Sequence, residues 1–430
     1  MTRLSVILLV VAATAPITGA VERFPPPEFV DTNHQIPHET QPPPRATVLE
    51  YLDIAALALA LVLAWWFAMA LRSRGAMLAL TVAAVLYFGF YREGCVCAIG
   101  AIQNVALAAG PGGYALPLFV AAIFLMPLIA ALLVGRVFCA GVCPLGAIQD
   151  LVLIHGVRVP APLARGLGLL AYAYLGLAVL VAATGSDFLI CRYDPFVGIF
   201  RLSGSPAMIV TGICLLVLAT FIGRPYCRFL CPLGVLLGWC SRLSARRVRI
   251  TPDKCVRCKL CEDACPFGAI LPANVDQPRG RRSGRTALAA TLALGPVLVI
   301  GGVVGGWAAA SVLARLHADV RLSEQIQARQ AGADVEHTPE IKAFEAAGGR
   351  AETLAAEADD IRGQFAVGSP ILGGFLGLMV AARLIGPLRR RTRTDYEADP
   401  ATCVACARCY TFCPVQHRPD TKLRDLPETA

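Results

Sequence analysis

Seven stretches of the chain are almost continuously apolar, near residues 51–71, 77–91, 115–135, 166–184, 206–223, 286–310 and 367–388, with polar or charged segments between them. A helix needs roughly 20 such residues to cross a bilayer core. The pattern therefore predicts seven spans, the second short enough to need support from its neighbours. Arginines collect in alternate loops: Arg72 and Arg74 after the first span, Arg158 and Arg165 after the third, and Arg242, Arg246, Arg247 and Arg249 after the fifth. Arg279, Arg281, Arg282 and Arg285 precede the sixth, and Arg389, Arg390, Arg391 and Arg393 follow the seventh. If seven spans alternate, every cluster falls on one side, which the positive-inside rule makes the cytoplasm. Residues 1–20 read as a signal peptide, with Arg3 before an apolar run and Thr18-Gly19-Ala20 as a small-residue cleavage site; an uncleaved anchor is the alternative. Residues 21–48 hold two runs of three prolines and read as an extended periplasmic linker. The charged, alanine-rich segment 312–365 has helical patterning and falls on the periplasmic side.

Composition narrows the class. The 430 residues are 56% hydrophobic and 16% charged, with a mean hydropathy of +0.60. Soluble domains carry nearer 25% charge, so a conventional soluble enzyme is excluded. The net charge of +9 is accounted for by the arginine loops, and no nucleic-acid partner is expected. The 17 cysteines sit in a chain too long and too apolar for a secreted disulfide scaffold. The six histidines offer no pair inside the spans, and C-x-x-C-H is absent, so no haem is expected. No P-loop or dinucleotide fingerprint occurs. The Gly301–Gly306 run lies in an apolar helix and reads as close helix packing. The cysteines are left to carry the chemistry.

Two motifs are specific. Cys255, Cys258, Cys261 and Cys265, followed by Pro266, have the spacing of a bacterial ferredoxin, and Cys403, Cys406, Cys409 and Cys413, followed by Pro414, repeat it. In that pattern three close thiolates hold one cubane and the fourth cysteine reaches the other. The spacing thus predicts two 4Fe–4S clusters, one on Cys255, Cys258, Cys261 and Cys413, the other on Cys403, Cys406, Cys409 and Cys265. Zinc sites favour two C-x-x-C pairs instead. Two spans separate the motifs and return the chain to the face it left, as crossed ligation requires.

Four further units sit at span ends and repeat one another. Cys139-Ala-Gly-Val-Cys143-Pro144-Leu145-Gly146-Ala147-Ile148-Gln149-Asp150 is the fullest. Cys227 to Gly234 repeats its first half, and Cys97 to Asn104, with Cys95 just before, its second. Cys191 to Gly198 is a weaker copy in which Asp194 replaces the second cysteine. Cysteines four apart share one face of a helix, and a following proline suits the first position of the next helix. Alternating spans put Cys139, Cys143, Cys227 and Cys231 toward the cytoplasm and Cys95, Cys97, Cys191 and Asp194 toward the periplasm. One metal cluster is expected on each side, with disulfides or buried free thiols as the alternative. For Cys214 and Cys240 simple packing is preferred.

The fold class expected is mainly α: a polytopic transmembrane bundle with half-helix repeats, plus a small α+β two-cluster ferredoxin module split by a transmembrane hairpin. Its parts are a signal peptide (1–20), a linker (21–48), a five-span membrane domain (49–245), the first ferredoxin half (246–280), the hairpin (281–390) and the second half (391–430). Gly135-Arg136-Val137-Phe138-Cys139 to Pro144-Leu145-Gly146, and Gly223-Arg224-Pro225-Tyr226-Cys227 to Pro232-Leu233-Gly234, followed by the ferredoxin motifs, resemble membrane polyferredoxins of the NosR/NapH type. The resemblance spans residues 50–270 and 370–415. It implies electron movement between the quinone pool or cytoplasmic donors and periplasmic reductases or flavoproteins. The stretch 20–50 is too short for the periplasmic FMN domain of NosR, so no covalent flavin is expected, and a separate periplasmic flavoprotein would fill that role.

A bilayer core of about 30 Å is too wide for one efficient electron-tunnelling step. The expected function is a relay through iron–sulfur clusters, between cytoplasmic ferredoxin centres and a quinone or periplasmic partner in a bacterial inner membrane, as a subunit of a quinol dehydrogenase or oxidoreductase complex. The alternative is a maturation or regulatory redox protein serving a periplasmic metalloenzyme. Arg92, Glu93 and Asp187 near span ends read as anchors or ion pairs, with proton handling at a quinol site as the second reading.

Overall fold

A computed structural model of the chain describes residues 46–94, 96–154, 156–250, 255–274, 281–333, 338–385 and 393–414. The expected signal peptide, nearly all of the proline-rich linker and Cys95 lie outside the described residues. Helices dominate, and among the described residues five are long and apolar enough to cross a membrane: Thr47–Ala70, Arg74–Tyr91, Ala161–Ala183, Leu292–Ala314 and Ala351–Ile385. Two of the seven expected spans depart from that standard. The stretch 115–135 forms Leu118–Val134, a 17-residue helix that contains Pro127. The stretch 206–223 forms Pro206–Phe221, which follows the short helix Pro195–Arg201 after a bend of 102°. The bend has a local cause. Leu202 and Gly204 take left-handed backbone, and Ser205 caps the next helix through the Met208 N–H, with Pro206 at its first position.

Between the spans the repeat units form four half-helices, Ala98–Ala109, Pro144–Leu151, Pro195–Arg201 and Pro232–Arg242. Each starts directly after Cys97, Cys143, Asp194 or Cys231. In three of them the first residue is proline, whose fixed φ and missing N–H suit that position. Ile99, Leu145, Phe196 and Leu233 on these pieces are buried almost completely. Irregular backbone is tolerated at membrane depth when other helices enclose it, and here the long spans supply the enclosure. Their outer faces remain apolar and exposed, as at Leu59, Leu86, Val297 and Ile300, which suits lipid.

The last two spans make a tight pair. A Cβ added at Gly302 or Gly306 would run into the Gly373 or Ser369 carbonyl, and one at Gly373 or Gly377 into the Gly302 or Leu298 carbonyl. Apolar side chains gain little by meeting each other rather than lipid, so the pair is held by backbones that approach closely over small residues. Gly301 and Gly305 in the same run face open space. Beyond the bilayer-length portion, Ala318–Gln330, Pro339–Ala346 and the first turns of Ala351–Ile385 carry surface ion pairs such as Arg315–Glu324 at 3.0 Å and Arg329–Glu345 at 2.9 Å.

The hairpin returns the chain to the ferredoxin module. Ile270–Leu271 pairs antiparallel with Glu397–Ala398, and one small core contains Ile250, Phe267 and Ile270 from the first half with Tyr396 and Val404 from the second. The module docks on the membrane domain through buried polar contacts. Asp150, fully buried, pairs with Arg74 at 2.6 Å, Arg408 at 3.2 Å and Arg224 at 3.4 Å. Burial opposes ionisation of Asp150, but Arg224, Arg74 and Arg408 outweigh it and hold the carboxyl well below its usual range. Arg136 donates to the Ala401 carbonyl at 2.7 Å, and the Ser241 hydroxyl to the Pro400 carbonyl at 2.7 Å.

Gly302→Leu is expected to separate the last two spans, lowering the thermal midpoint and releasing residues 393–414 in hydrogen exchange, whereas Gly305→Leu changes neither. Equal effects of the two would refute the packing account. Asp150→Asn strands three guanidiniums around a neutral amide, and breaking a buried pair in this way costs about 3–5 kcal/mol. Faster exchange at 393–414 with the spans unchanged is the expected result; undisturbed protection would show that the clamp does not hold the module.

Candidate thiol centres

The two ferredoxin motifs interleave. A cavity is lined by Cys255, Cys258 and Cys261 from the first motif and Cys413 from the second, with Ile250 and Tyr396 closing it. Cys265 lies instead beside Cys403 and Cys409. The two loops share an unusual backbone. Arg257 and Lys259 take positive φ, as do Ala405 and Ala407 at the same places in the second motif. Each such non-glycine residue costs roughly 1–2 kcal/mol, so something must repay it. Alternation of right- and left-handed backbone gathers successive N–H groups into a concavity that suits anions, a feature of many iron–sulfur sites. Burial pushes the Cys261 thiol up to about 11 and the Cys403 thiol up to about 12, and neighbouring thiols add to both shifts. Among the described residues no three Cys, His, Asp or Glu side chains converge tightly enough to hold a single metal ion. A cubane presents separate iron corners, so thiols spaced around a cavity suit it better than zinc, which gathers four ligands at one point.

A second group lies directly under the ferredoxin module. The thiols of Cys139, Cys143, Cys227 and Cys231 lie within electrostatic reach of one another, two from each of two repeat units. Gln149 joins the units: its Oε1 accepts from the Tyr226 N–H at 3.1 Å, and its Nε2 donates to the Leu145 carbonyl at 2.7 Å and reaches Cys227 Sγ at 3.5 Å. Arg224, in left-handed backbone and 1% exposed, donates to the Cys139 and Ala140 carbonyls. The Gly234 N–H donates to Cys231 Sγ at 3.3 Å. Buried N–H donors are normally satisfied, yet Nε of Arg136, Arg224 and Arg408 and Nη1 of Arg228 are buried without a hydrogen-bond acceptor among the described residues. Donors of this kind around thiols fit an anionic iron–sulfur group, whose sulfurs accept hydrogen bonds.

Beyond the end of Arg74–Tyr91 that lies away from the ferredoxin module, Cys97 stands within electrostatic reach of Cys191 and Asp194. Cys97 Sγ accepts from the Gly100 N–H at 3.3 Å and Asp194 Oδ1 from the Phe196 N–H at 2.8 Å. Cys240 packs against the membrane core and Cys214 is half-buried on Pro206–Phe221. The span-end charges form pairs: Arg92 meets buried Asp53 at 2.9 Å, and Arg192 meets Asp187 at 2.6 Å.

Sequence reasoning did not single out Arg74, Gln103, Gln149 or Asp150 as site residues. A signal for the glutamines was present, since both occupy the same place in Ala-Ile-Gln. The Gly-Arg step before Cys139 and Cys227 likewise marks the two arginines that meet this centre.

Comparison with known proteins finds iron–sulfur domains in part of the chain. A 4Fe–4S binding domain family matches twice, at residues 116–162 and 205–251, and a second family of the same description matches residues 248–271. An uncharacterised protein of Methanocaldococcus jannaschii is 29% identical over 45% of this chain and 82% of its own length. The ferredoxin-type protein NapH of Haemophilus influenzae is 32% identical over 33% of this chain and 51% of its own. The regulatory protein NosR of Pseudomonas aeruginosa is 32% identical over 33% of this chain and 22% of its own. The chain thus spans about half of NapH and about a fifth of NosR. No solved structure matches. With 4Fe–4S binding domains, helices long and apolar enough to cross a membrane, and similarity to NapH and NosR, the chain is a membrane polyferredoxin of the NosR/NapH type, an iron–sulfur electron-transfer protein.

Proposed function

We propose that the protein relays electrons across a bacterial inner membrane, between a ferredoxin module on the cytoplasmic side and a quinone or a periplasmic redox partner. In this reading Cys255, Cys258, Cys261 and Cys413 hold one 4Fe–4S cluster, and Cys403, Cys406, Cys409 and Cys265 hold a second. Cys139, Cys143, Cys227 and Cys231 hold a third iron–sulfur group inside the membrane domain. Iron–sulfur clusters accept and release single electrons, with potentials set by hydrogen bonds, charge and burial.

The observation that carries the reading is the polar bridge between two of these thiol groups. Arg74 donates to the Cys406 carbonyl at 3.2 Å and pairs with Asp150; Arg224 pairs with the same carboxylate and donates to the Cys139 carbonyl. The bridge fixes the second ferredoxin motif against the membrane quartet. The side chains around the quartet exclude water: Val137, Phe138, Leu145, Leu233 and Leu237 are almost wholly buried beside it. The arginine loops on the ferredoxin side support a cytoplasmic location for the module. An electron entering there would still have to cross most of an apolar layer about 30 Å thick, which gives a membrane centre its use.

The test uses the full chain in sealed vesicles, with a reduced donor outside and an electron acceptor trapped in the lumen, sorted for molecules whose ferredoxin module faces outward. Reduction of the trapped acceptor is expected, and failure of transfer while the ferredoxin clusters still reduce would overturn the relay. Cys143→Ser with Cys231→Ser is expected to leave the ferredoxin spectra intact and slow transfer at least about tenfold, equivalent to some 1.4 kcal/mol of barrier. An unchanged rate would remove the quartet from the path.

A further inference from the structure

We infer that Cys97, Cys191 and Asp194 form a second iron–sulfur centre in the membrane domain, on the side away from the ferredoxin module. The inference rests on the iron–sulfur reading above and adds a site outside every stretch matched by the 4Fe–4S families, which begin at residue 116.

Gln103 and Gln149 hold the same position in their repeat units, and both are fully buried. Gln149 Oε1 accepts a backbone N–H from the unit of Cys227, at Tyr226; Gln103 Oε1 accepts the N–H of Cys191 at 3.2 Å. Each glutamine therefore ties a fuller unit to a partner unit, and the fold contains the same joint twice. Gly100 and Gly146 also correspond. A Cβ at Gly146 would stand 3.5 Å from Cys227 Sγ, and one at Gly100 would stand 3.1 Å from Cys191 Sγ and 3.9 Å from Cys97 Sγ. Both sulfurs thus border one small space that glycine keeps open.

The pairs differ in one respect that points to a ligand. Gln149 Nε2 donates to a carbonyl and reaches a thiol, whereas Gln103 Nε2, anchored beside Cys191 by its own oxygen, is buried with no acceptor among the described residues. Leaving such a donor unmade costs roughly 1–3 kcal/mol, and a sulfur of a bound cluster would satisfy it. Asp194 is 1% exposed, and no arginine or lysine is paired with it among the described residues. A buried carboxylate normally takes a cationic partner or a metal, and iron accepts a hard oxygen ligand beside softer thiolates. The two membrane groups are also neighbours. The ring of Tyr226, 2% exposed, stacks edge-on against Phe196 at 5.3 Å and stands within electrostatic reach of Asp194, Cys97 and Cys231. A centre at Cys97, Cys191 and Asp194 would therefore extend the path toward the opposite face.

The test measures iron, acid-labile sulfide and low-temperature paramagnetic spectra on the purified full chain. Cys97→Ala with Cys191→Ala is expected to remove one spectral species with its iron, leaving the ferredoxin signals unchanged. Asp194→Cys is expected to keep the iron and shift the spectrum of that same species, because one ligand changes from oxygen to sulfur; it decides the matter if the double alanine variant does not accumulate. Full iron and unchanged spectra in these variants overturn the inference, as does recovery of Cys97 and Cys191 joined as a disulfide by mass spectrometry. Cys143→Ser with Cys231→Ser removes a different species. Loss there alone refutes the second centre and spares the relay reading, whereas loss in neither pair refutes both membrane centres.

Discussion

One carboxylate holds the halves of this molecule together. Asp150 is fully buried and meets guanidiniums from three distant parts of the chain: the turn between the first two spans, the entry to the fourth repeat unit and the second ferredoxin half. A charge buried in low dielectric is tolerable only with such company. The consequence is geometric. The three arginines cannot satisfy Asp150 unless the ferredoxin module sits directly over the membrane quartet. The relative placement of the thiol groups is thereby set by electrostatics as well as by apolar packing, which is non-directional.

The membrane domain solves a related problem in a different way. Thiols that are to share a ligand must be brought to one place from backbone that breaks its helices, and broken backbone is costly in lipid. The chain starts a new half-helix directly after each candidate ligand and buries the first residue of each, Ala98, Pro144, Pro195 and Pro232. Glutamines then join the units in pairs. Doubling the joint gives the bundle an internal symmetry that its weaker sequence copies partly hide.

The parts legible in the sequence were those governed by local spacing. The ferredoxin motifs announce themselves because a cubane dictates the distance between thiolates. The repeat units and the apolar stretches are equally local. Leu118–Val134 and the bent pair ending in Pro206–Phe221 depart from simple spans because Pro117 and Gly135 bound the first and a left-handed turn at Leu202 and Gly204 bends the second, geometry that a count of apolar residues ignores. Gln103, Gln149 and Asp150 were visible only as repeat letters, since their partners lie tens or hundreds of residues away. Arg92 and Asp187 turned out to sit in ion pairs, and Asp53, the partner of Arg92, could not be foreseen from the neighbourhood of Arg92.

The strand pair Ile270–Leu271 with Glu397–Ala398 sets an order of events in time. A ribosome releases the first ferredoxin half long before the second, and two spans with the helices between them must be made and inserted in the meantime. The small core shared by Phe267 and Tyr396 cannot close until the last span has crossed. Until then the earlier thiols stand beside the bilayer without their enclosure, so the completion of the ferredoxin module reports that insertion of the whole chain is finished.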